Sequence, residues 1–272
     1  MGGGTSRQAY LDAMGIQAWV RREAAAPVVD KESVAKGGDN NGAVPREAPL
    51  ESPGRHAGAG RHPETVVEPP DSGMVLNDGK EEPSTSQLNW DELQARVAAC
   101  VRCAELASTR TQTVFGVGNH NADWMVIGEA PGAEEDRQGE PFVGRAGQLL
   151  NNMLKAIGLQ RETVFIANML KCRPPGNRDP RPEEIANCAD YLQRQVALVQ
   201  PKVILAVGRI SAQNLLQSSE PLGRLRGKVH RYGDIPLVVT YHPAYLLRTP
   251  GDKAKAWADL RFARDVAGGR RS

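Results

Sequence analysis

The sequence predicts an α/β fold: three layers, α/β/α, around a central four-stranded parallel sheet, with a disordered N-terminal extension. Three observations predict it. Four near-continuous apolar runs, WMVIGEAPG (124–132), TVFIANMLKC (163–172), KVILAVG (202–208) and PLVVTYHPAY (236–245), each end in loop signals. Helical patterns separate them: GQLLNNMLKAIGL, PEEIANCADYLQRQVALV and SAQNLLQ. Apolar strands alternating with helices mark a parallel sheet covered on both faces. The third observation is a change of composition along the chain. Residues 24–87 hold eight prolines and eight glycines, only two leucines, and no Phe, Trp, Tyr or Ile. Such a stretch cannot bury enough apolar surface to offset the entropy of ordering it.

Three parts follow. Residues 1–23 form a short N-terminal peptide with a possible docking helix, 24–87 a disordered linker, and 88–268 the folded domain. Within the first part, SRQAYLDAMGIQAWVRRE (6–23) places Tyr10, Leu11 and Met14 at helical spacing, although Gly15 weakens a continuous helix. An apolar segment on a long tether suits a docking peptide, or a segment that folds back onto its own domain. At the start of the domain, Asn89 is placed to cap a helix, WDELQARVAAC, that leads into Cys100.

Charge is unevenly shared. Residues 1–87 carry 9 Lys+Arg against 13 Asp+Glu, and residues 88–272 carry 25 against 19. A basic domain behind an acidic extension suits a polyanionic partner, or simply a solvated arginine-rich surface. No run of about 18 apolar residues occurs, so no transmembrane helix is expected. The N-terminus lacks the apolar core of a secretory signal. A cytoplasmic monomer with reduced thiols is expected.

The four cysteines therefore read as metal ligands, redox groups or core residues rather than disulfides. Cys100 and Cys103 stand in CVRC; Cys172 and Cys188 bracket a proline- and arginine-rich stretch. Zinc usually uses two close pairs or paired histidines, whereas a spread second pair suits an iron–sulfur cube. Spacing leaves cube, zinc and unrelated thiols open. Any metal there would pin the first helix and the 173–187 loop to the sheet. That loop carries Arg173, Arg178 and Arg181, a candidate phosphate-contact surface.

Open parallel sheets bind ligands beyond the carboxyl ends of their strands. Glu129, Asn168 and His242 end three of the four runs and can converge there. GEAPGAEEDRQGEPFVGRAGQLL (128–150) is neither a Rossmann fingerprint nor a P-loop. Glu134 and Asp136 read as solvated acids, and Glu129 as the better candidate for chemistry. Phe142 reads either as core or as a stacking platform for a base. In TYHPAYLLR, an apolar wedge at Leu246 beside Arg248 would suit entry into a base stack, with helix packing as the alternative.

GEAPGAEEDRQGEPFVGRAGQLLNNML, NMLKCRPPGNRDPRPEEIANC and TYHPAYLLR, with CVRC upstream, together resemble the family 4 uracil-DNA glycosylases. These are the iron–sulfur branch of the uracil-DNA glycosylase superfamily. The resemblance covers about residues 90–267. It implies a uracil-DNA glycosylase-like fold and a monofunctional DNA repair enzyme that flips uracil from DNA and hydrolyses its N-glycosidic bond. It also implies a [4Fe–4S] cluster on Cys100, Cys103, Cys172 and Cys188. Phe142 would stack on uracil, Asn168 would read its Watson–Crick edge, and His242 would donate to O2. Glu135 would crowd the C5 side, Leu246 would fill the duplex gap, and Arg248 would lie near phosphate. At Ala130 the classical family places an aspartate that positions water. Ala130 thus joins the substrate wall, and Glu129 becomes the candidate for the water. No insertion lies between Gly144 and Leu149, unlike a related branch that bonds DNA covalently through a histidine. The N-terminal Met-Gly-Ile-x-x-Trp-x-x-Arg is similar, over that segment alone, to the clamp-loader-binding peptide of a bacterial replicative polymerase's psi subunit. The competing reading is a metal-stapled nucleic-acid-binding adaptor without catalysis.

Overall fold

The structure, a computed structural model, describes residues 84–270. The expected linker and docking peptide, up to residue 83, lie outside the described residues. Residues 84–87, expected in the linker, are part of the fold. Thr85–Gln87 form a 3₁₀ turn, and Thr85 Oγ1 donates to Asp190 Oδ2 at 2.8 Å.

Asn89 caps helix α1 (Trp90–Ala98) as expected. Its side chain accepts from the Glu92 N–H while Glu92 accepts from the Asn89 N–H, a reciprocal capping box. Helix α2 (Ala104–Thr109) follows the CVRC turn. Then come strands β1 (Val117–Gly118) and β2 (Trp124–Gly128) and helices α3 (Ala133–Gln138) and α4 (Arg145–Ala156). Strand β3 (Phe165–Asn168), helix α5 (Pro182–Val199), strand β4 (Val203–Val207) and helices α6 (Arg209–Leu215) and α7 (Leu222–Leu225) continue the chain. Strands β5 (His230–Tyr232) and β6 (Ile235–Thr240) and helices α8 (Pro243–Arg248) and α9 (Lys253–Ala267) complete it.

The four expected strands form and run parallel, in the order β3-β2-β4-β6. The four-stranded expectation is incomplete, because β1 pairs antiparallel with β3 and β5 antiparallel with β6, making six strands. These edge strands are short and none of their residues is fully buried, so they lack the apolar run that betrayed the inner four.

Alternate residues of each inner strand feed opposite faces, the period-two geometry of a pleated strand. Met125, Ile127, Phe165, Ala167, Ile204 and Ala206 face one apolar cluster, with α1, α5 and α6. Trp124, Val126, Ile166, Val203, Leu205 and Val238 face another, with α4, α8 and α9. This is the three-layer arrangement. The chain leaves β2 toward α4 on one face and β4 toward α6 on the other. Between those adjacent strands the loops part and leave a crevice at the carboxyl edge. Among the described residues no helix is long and apolar enough to cross a membrane.

One buried polar group braces that edge. Asp259 of α9 accepts from Arg226 Nε (2.6 Å) and Nη2 (2.8 Å) and from Thr240 Oγ1 (2.9 Å) at the tip of β6. Burial pushes its carboxyl up, and the Arg226 bonds oppose that. The Asp259 side chain is 3% exposed, against 61% for Asp123 in the surface pair with Lys202. Breaking a buried pair leaves an uncompensated charge, whereas an exposed pair contributes little. Asp259→Ala is therefore expected to cost about 3–5 kcal/mol, and Asp123→Ala no more than about 1 kcal/mol. Urea midpoints of the two variants check this.

Candidate active site

A cavity of about 400 Å³ opens at the carboxyl edge of the sheet. The tips of β2, β3 and β6 supply Glu129, Asn168 and His242 to its wall, as the sequence anticipated, and Ala130, Glu135, Phe142, Arg178 and Arg248 also line it. Arg173 and Leu246 do not.

Asn168 ends β3 and is 2% exposed. Its Oδ1 is, among the described residues, the buried side-chain oxygen or nitrogen left without a hydrogen-bond partner. Gly128, paired with Asn168 across the sheet, explains how close the wall groups come. A Cβ at Gly128 would lie 2.4 Å from Asn168 Oδ1 and 2.6 Å from Phe142 Cζ. Only glycine lets amide and ring share that space.

Phe142 sits in a turn with φ of +54°, a left-handed conformation that side chains rarely adopt. Three contacts hold it there. Arg161 donates through Nη1 to the Phe142 carbonyl and through Nη2 to that of Pro141. Glu135 Oε1 accepts from the Val143 and Gly144 N–H groups while Oε2 accepts from Gly132 N–H. Gly147 admits the turn, since a Cβ there would lie 1.8 Å from the Phe142 carbonyl oxygen. Glu135 thus sits on the cavity wall as expected, but both its oxygens brace the loops on either side.

His242 caps α8, its Nδ1 accepting from the Ala244 N–H at 3.1 Å. That bond occupies Nδ1 as an acceptor and leaves the neutral ring's proton on Nε2. Burial, with Arg248 nearby, pushes the imidazole down to about 4, against a smaller opposing pull from Glu135. The ring is a neutral donor at physiological pH. Its centroid lies 5.7 Å from that of Phe142. Burial and the neighbouring Asp179 carboxylate push Glu129 up to about 7, with Arg209 opposing.

Three expectations change. Leu246 is 1% exposed and packs in the core beneath α8, so it cannot reach a base stack. The helix-packing alternative holds there, because Leu246 falls on the core-facing side of α8. Arg178 lines the cavity, yet its guanidinium is committed to both oxygens of Glu184 (2.6 and 2.9 Å) and to Glu105 (3.3 Å). It braces the loop and is not presented to phosphate; Arg173 stands outside the cavity, its Nε donating to Asn177. Asp136 is 3% exposed, not solvated, because its carboxylate accepts from the Thr111 N–H. Sequence reasoning missed Arg161, Asn177 and Tyr245. Arg161 precedes β3 in an ordinary polar turn, and nothing local signals its reach to residue 142.

The four cysteines are free and share one face of the sheet. Two of the sulfurs face side-chain donors. Arg110 Nη1 reaches Cys172 at 2.9 Å and Asn187 Nδ2 reaches Cys103 at 3.4 Å. Burial, with smaller contributions from neighbouring Cys172 and Cys103, pushes the Cys188 thiol up to about 11, with Lys171 opposing. Donors on Cys103 and Cys172, within four thiols gathered on one face of the sheet, fit anionic thiolates that serve as metal ligands. Among the described residues no His, Cys, Asp and Glu grouping is arranged to hold a single metal ion. Lys171, 1% exposed, donates from Nζ to the Asn168 carbonyl (2.8 Å) and to Gln195 Oε1 (2.7 Å). Salt bridges also tie this region together: Glu105 pairs with Arg178 and Arg181, and Arg102 with Asp190.

Two strand tips thus bring an unpaired amide oxygen and an imidazole, and the turn at Phe142 a ring, around one cavity at the carboxyl edge of the sheet. The model of the uracil DNA glycosylase superfamily matches residues 115–261. The chain is 42% identical over 186 residues to a type-4 uracil-DNA glycosylase of Archaeoglobus fulgidus, covering 65% of this chain and 93% of that protein. It is 40% identical over 162 residues to the type-4 enzyme of Thermotoga maritima, covering 59% and 84%. A type-5 uracil-DNA glycosylase of Pyrobaculum aerophilum is 27% identical over 191 residues, covering 58% and 83%. The chain belongs to the uracil DNA glycosylase superfamily, in its type-4 family.

Arg161→Ala is expected to free the Phe142 turn while the sheet persists. Losing two charge-assisted bonds to buried carbonyls should cost about 1.5–3 kcal/mol in unfolding free energy. A crystal structure of the variant should show the Phe142 ring displaced from the wall.

Proposed function

We propose that the chain excises uracil from DNA, hydrolysing the N-glycosidic bond and leaving an abasic site. The observation that carries this is the unpaired Oδ1 of Asn168, buried beside Phe142 and His242 on the wall of a cavity with room for a nucleobase and part of its backbone. Uracil offers an N3–H donor where cytosine offers a bare acceptor. An orphan amide oxygen gains a bond from the first and faces repulsion from the second. Phe142 stacks on the flipped ring, Ala130 completes the wall, and Glu135 closes the C5 side as it braces the Phe142 turn.

As the C1′–N1 bond breaks, its electron pair moves onto the ring and charge builds on O2. The Nε2–H of neutral His242 donates to that oxygen and binds the transition state better than the ground state. A water adds to C1′ of the sugar cation, and ionised Glu129 takes its proton. No covalent enzyme intermediate is needed. Arg248, exposed at the rim, and Arg173 on the loop approach phosphate.

Cys100, Cys103, Cys172 and Cys188 would hold a [4Fe–4S] cluster, a reading supported by the gathering of the four thiols on one face of the sheet and by the donors on Cys103 and Cys172. Bound there, it supplies cross-links between the CVRC turn, the end of β3 and α5. Residues 6–23 dock a replication or repair protein, and the enzyme works as a cytoplasmic monomer. A non-catalytic adaptor would have no use for an orphan amide and a neutral donor in one cavity.

His242→Ala and Asn168→Ala are each expected to slow single-turnover excision of uracil by about a hundred- to a thousandfold with the fold intact. Wild-type rates would refute the roles. Because Glu129 acts ionised, the rate should climb about tenfold per pH unit below about 7 and level above it; in Glu129→Gln that limb should vanish. Cys188→Ser, purified without oxygen, should lose iron and inorganic sulfide by assay. A wild-type chain carrying zinc and no sulfide would overturn the cluster.

A further inference from the structure

With Leu246 in the core, nothing yet fills the gap that an extruded nucleotide leaves. We infer that Tyr245 does so, stacking on the bases that flank the vacated position in duplex DNA. The inference rests on the uracil-excision reading above.

Helix α8 turns Ala244, Tyr245 and Arg248 toward the cavity. Burial ranks the wall by depth. Asn168 and Phe142 are buried, Tyr245 is half-buried and Arg248 is exposed. Tyr245 is thus the aromatic side chain of the rim, between the pocket that takes the base and the arginine that meets the backbone.

The ring is also held. It stacks on Tyr241 at 5.2 Å between centroids and 13° between planes. Tyr241 in turn carries the Arg226 guanidinium, 4.3 Å from its centroid, and Arg226 is fixed by buried Asp259. The Tyr245 hydroxyl donates to Asp252 Oδ2 at 2.6 Å. A ring anchored at its face and at its hydroxyl loses little freedom when a base stacks on it. Any base has a π face, so such a platform accepts whatever flanks the uracil.

The role predicts a dependence on strandedness. In a duplex the extruded base is opposed by the stack it left, and the filler prevents its return. In a single strand no such gap closes behind it. The full chain with its metal centre and variants Tyr245→Ala and Tyr245→Trp should be assayed on one uracil oligonucleotide, single-stranded and annealed. Tyr245→Ala is expected to lose roughly 10- to 100-fold on the duplex and no more than about threefold on the single strand. Tyr245→Trp should keep the duplex rate, and its fluorescence should be quenched by the uracil duplex beyond that of the wild-type chain. Equal losses on both substrates, or no loss on the duplex, would overturn the inference. So would an unquenched Tyr245→Trp, which decides the matter even if Tyr245→Ala does not fold. A wild-type chain that excises uracil from neither substrate would instead refute the excision reading itself.

Discussion

A buried amide oxygen with nothing to bind is the constraint around which this molecule is organised. Left unmet, such a group costs on the order of 1–3 kcal/mol. The fold holds Asn168 Oδ1 in that state regardless. Strand β3, buried along its whole length, leaves the side chain facing only the cavity. Gly128 makes room beside it, and the clamped Phe142 turn limits the space to something flat. A ring bearing an N–H at the right edge relieves the cost as it binds.

Charge is handled in a similar way. His242 is kept neutral by burial and by Arg248, and its tautomer is set by one backbone N–H of α8. Glu129, only a loop away, is pushed up to about 7 by the same burial with Asp179 beside it. Two groups of opposite chemical sense are thus brought near their useful states by environment. The loop with Arg178 and Arg181 is fixed to α2 by Glu105, independently of any metal. Several arginines that look available in the sequence are already spent on carboxylates.

The inner sheet and its tips were legible because apolar runs and their polar terminators are local signals. Glu129, Asn168, Phe142 and His242 could be placed from strand ends and motif text alone. The edge strands were not legible, since two or three half-buried residues carry no period. Nor was the burial of Leu246 against the half-exposure of Tyr245. Neighbours on a six-residue helix differ only in which way each faces, and TYHPAYLLR has too little polar contrast to reveal it. Arg161 and Asp136 act across long sequence separations, where no spacing rule reaches.

The buried ammonium of Lys171 joins two regions that sequence treats as separate. It lies three residues past the reading amide and one before Cys172, and it donates to the Asn168 carbonyl and to Gln195 on α5. The amide at the tip of β3 and the thiol of Cys172 therefore hang on the same few peptide units. A substitution that shifts one disturbs the other, so the two positions are bound to drift together or stay put.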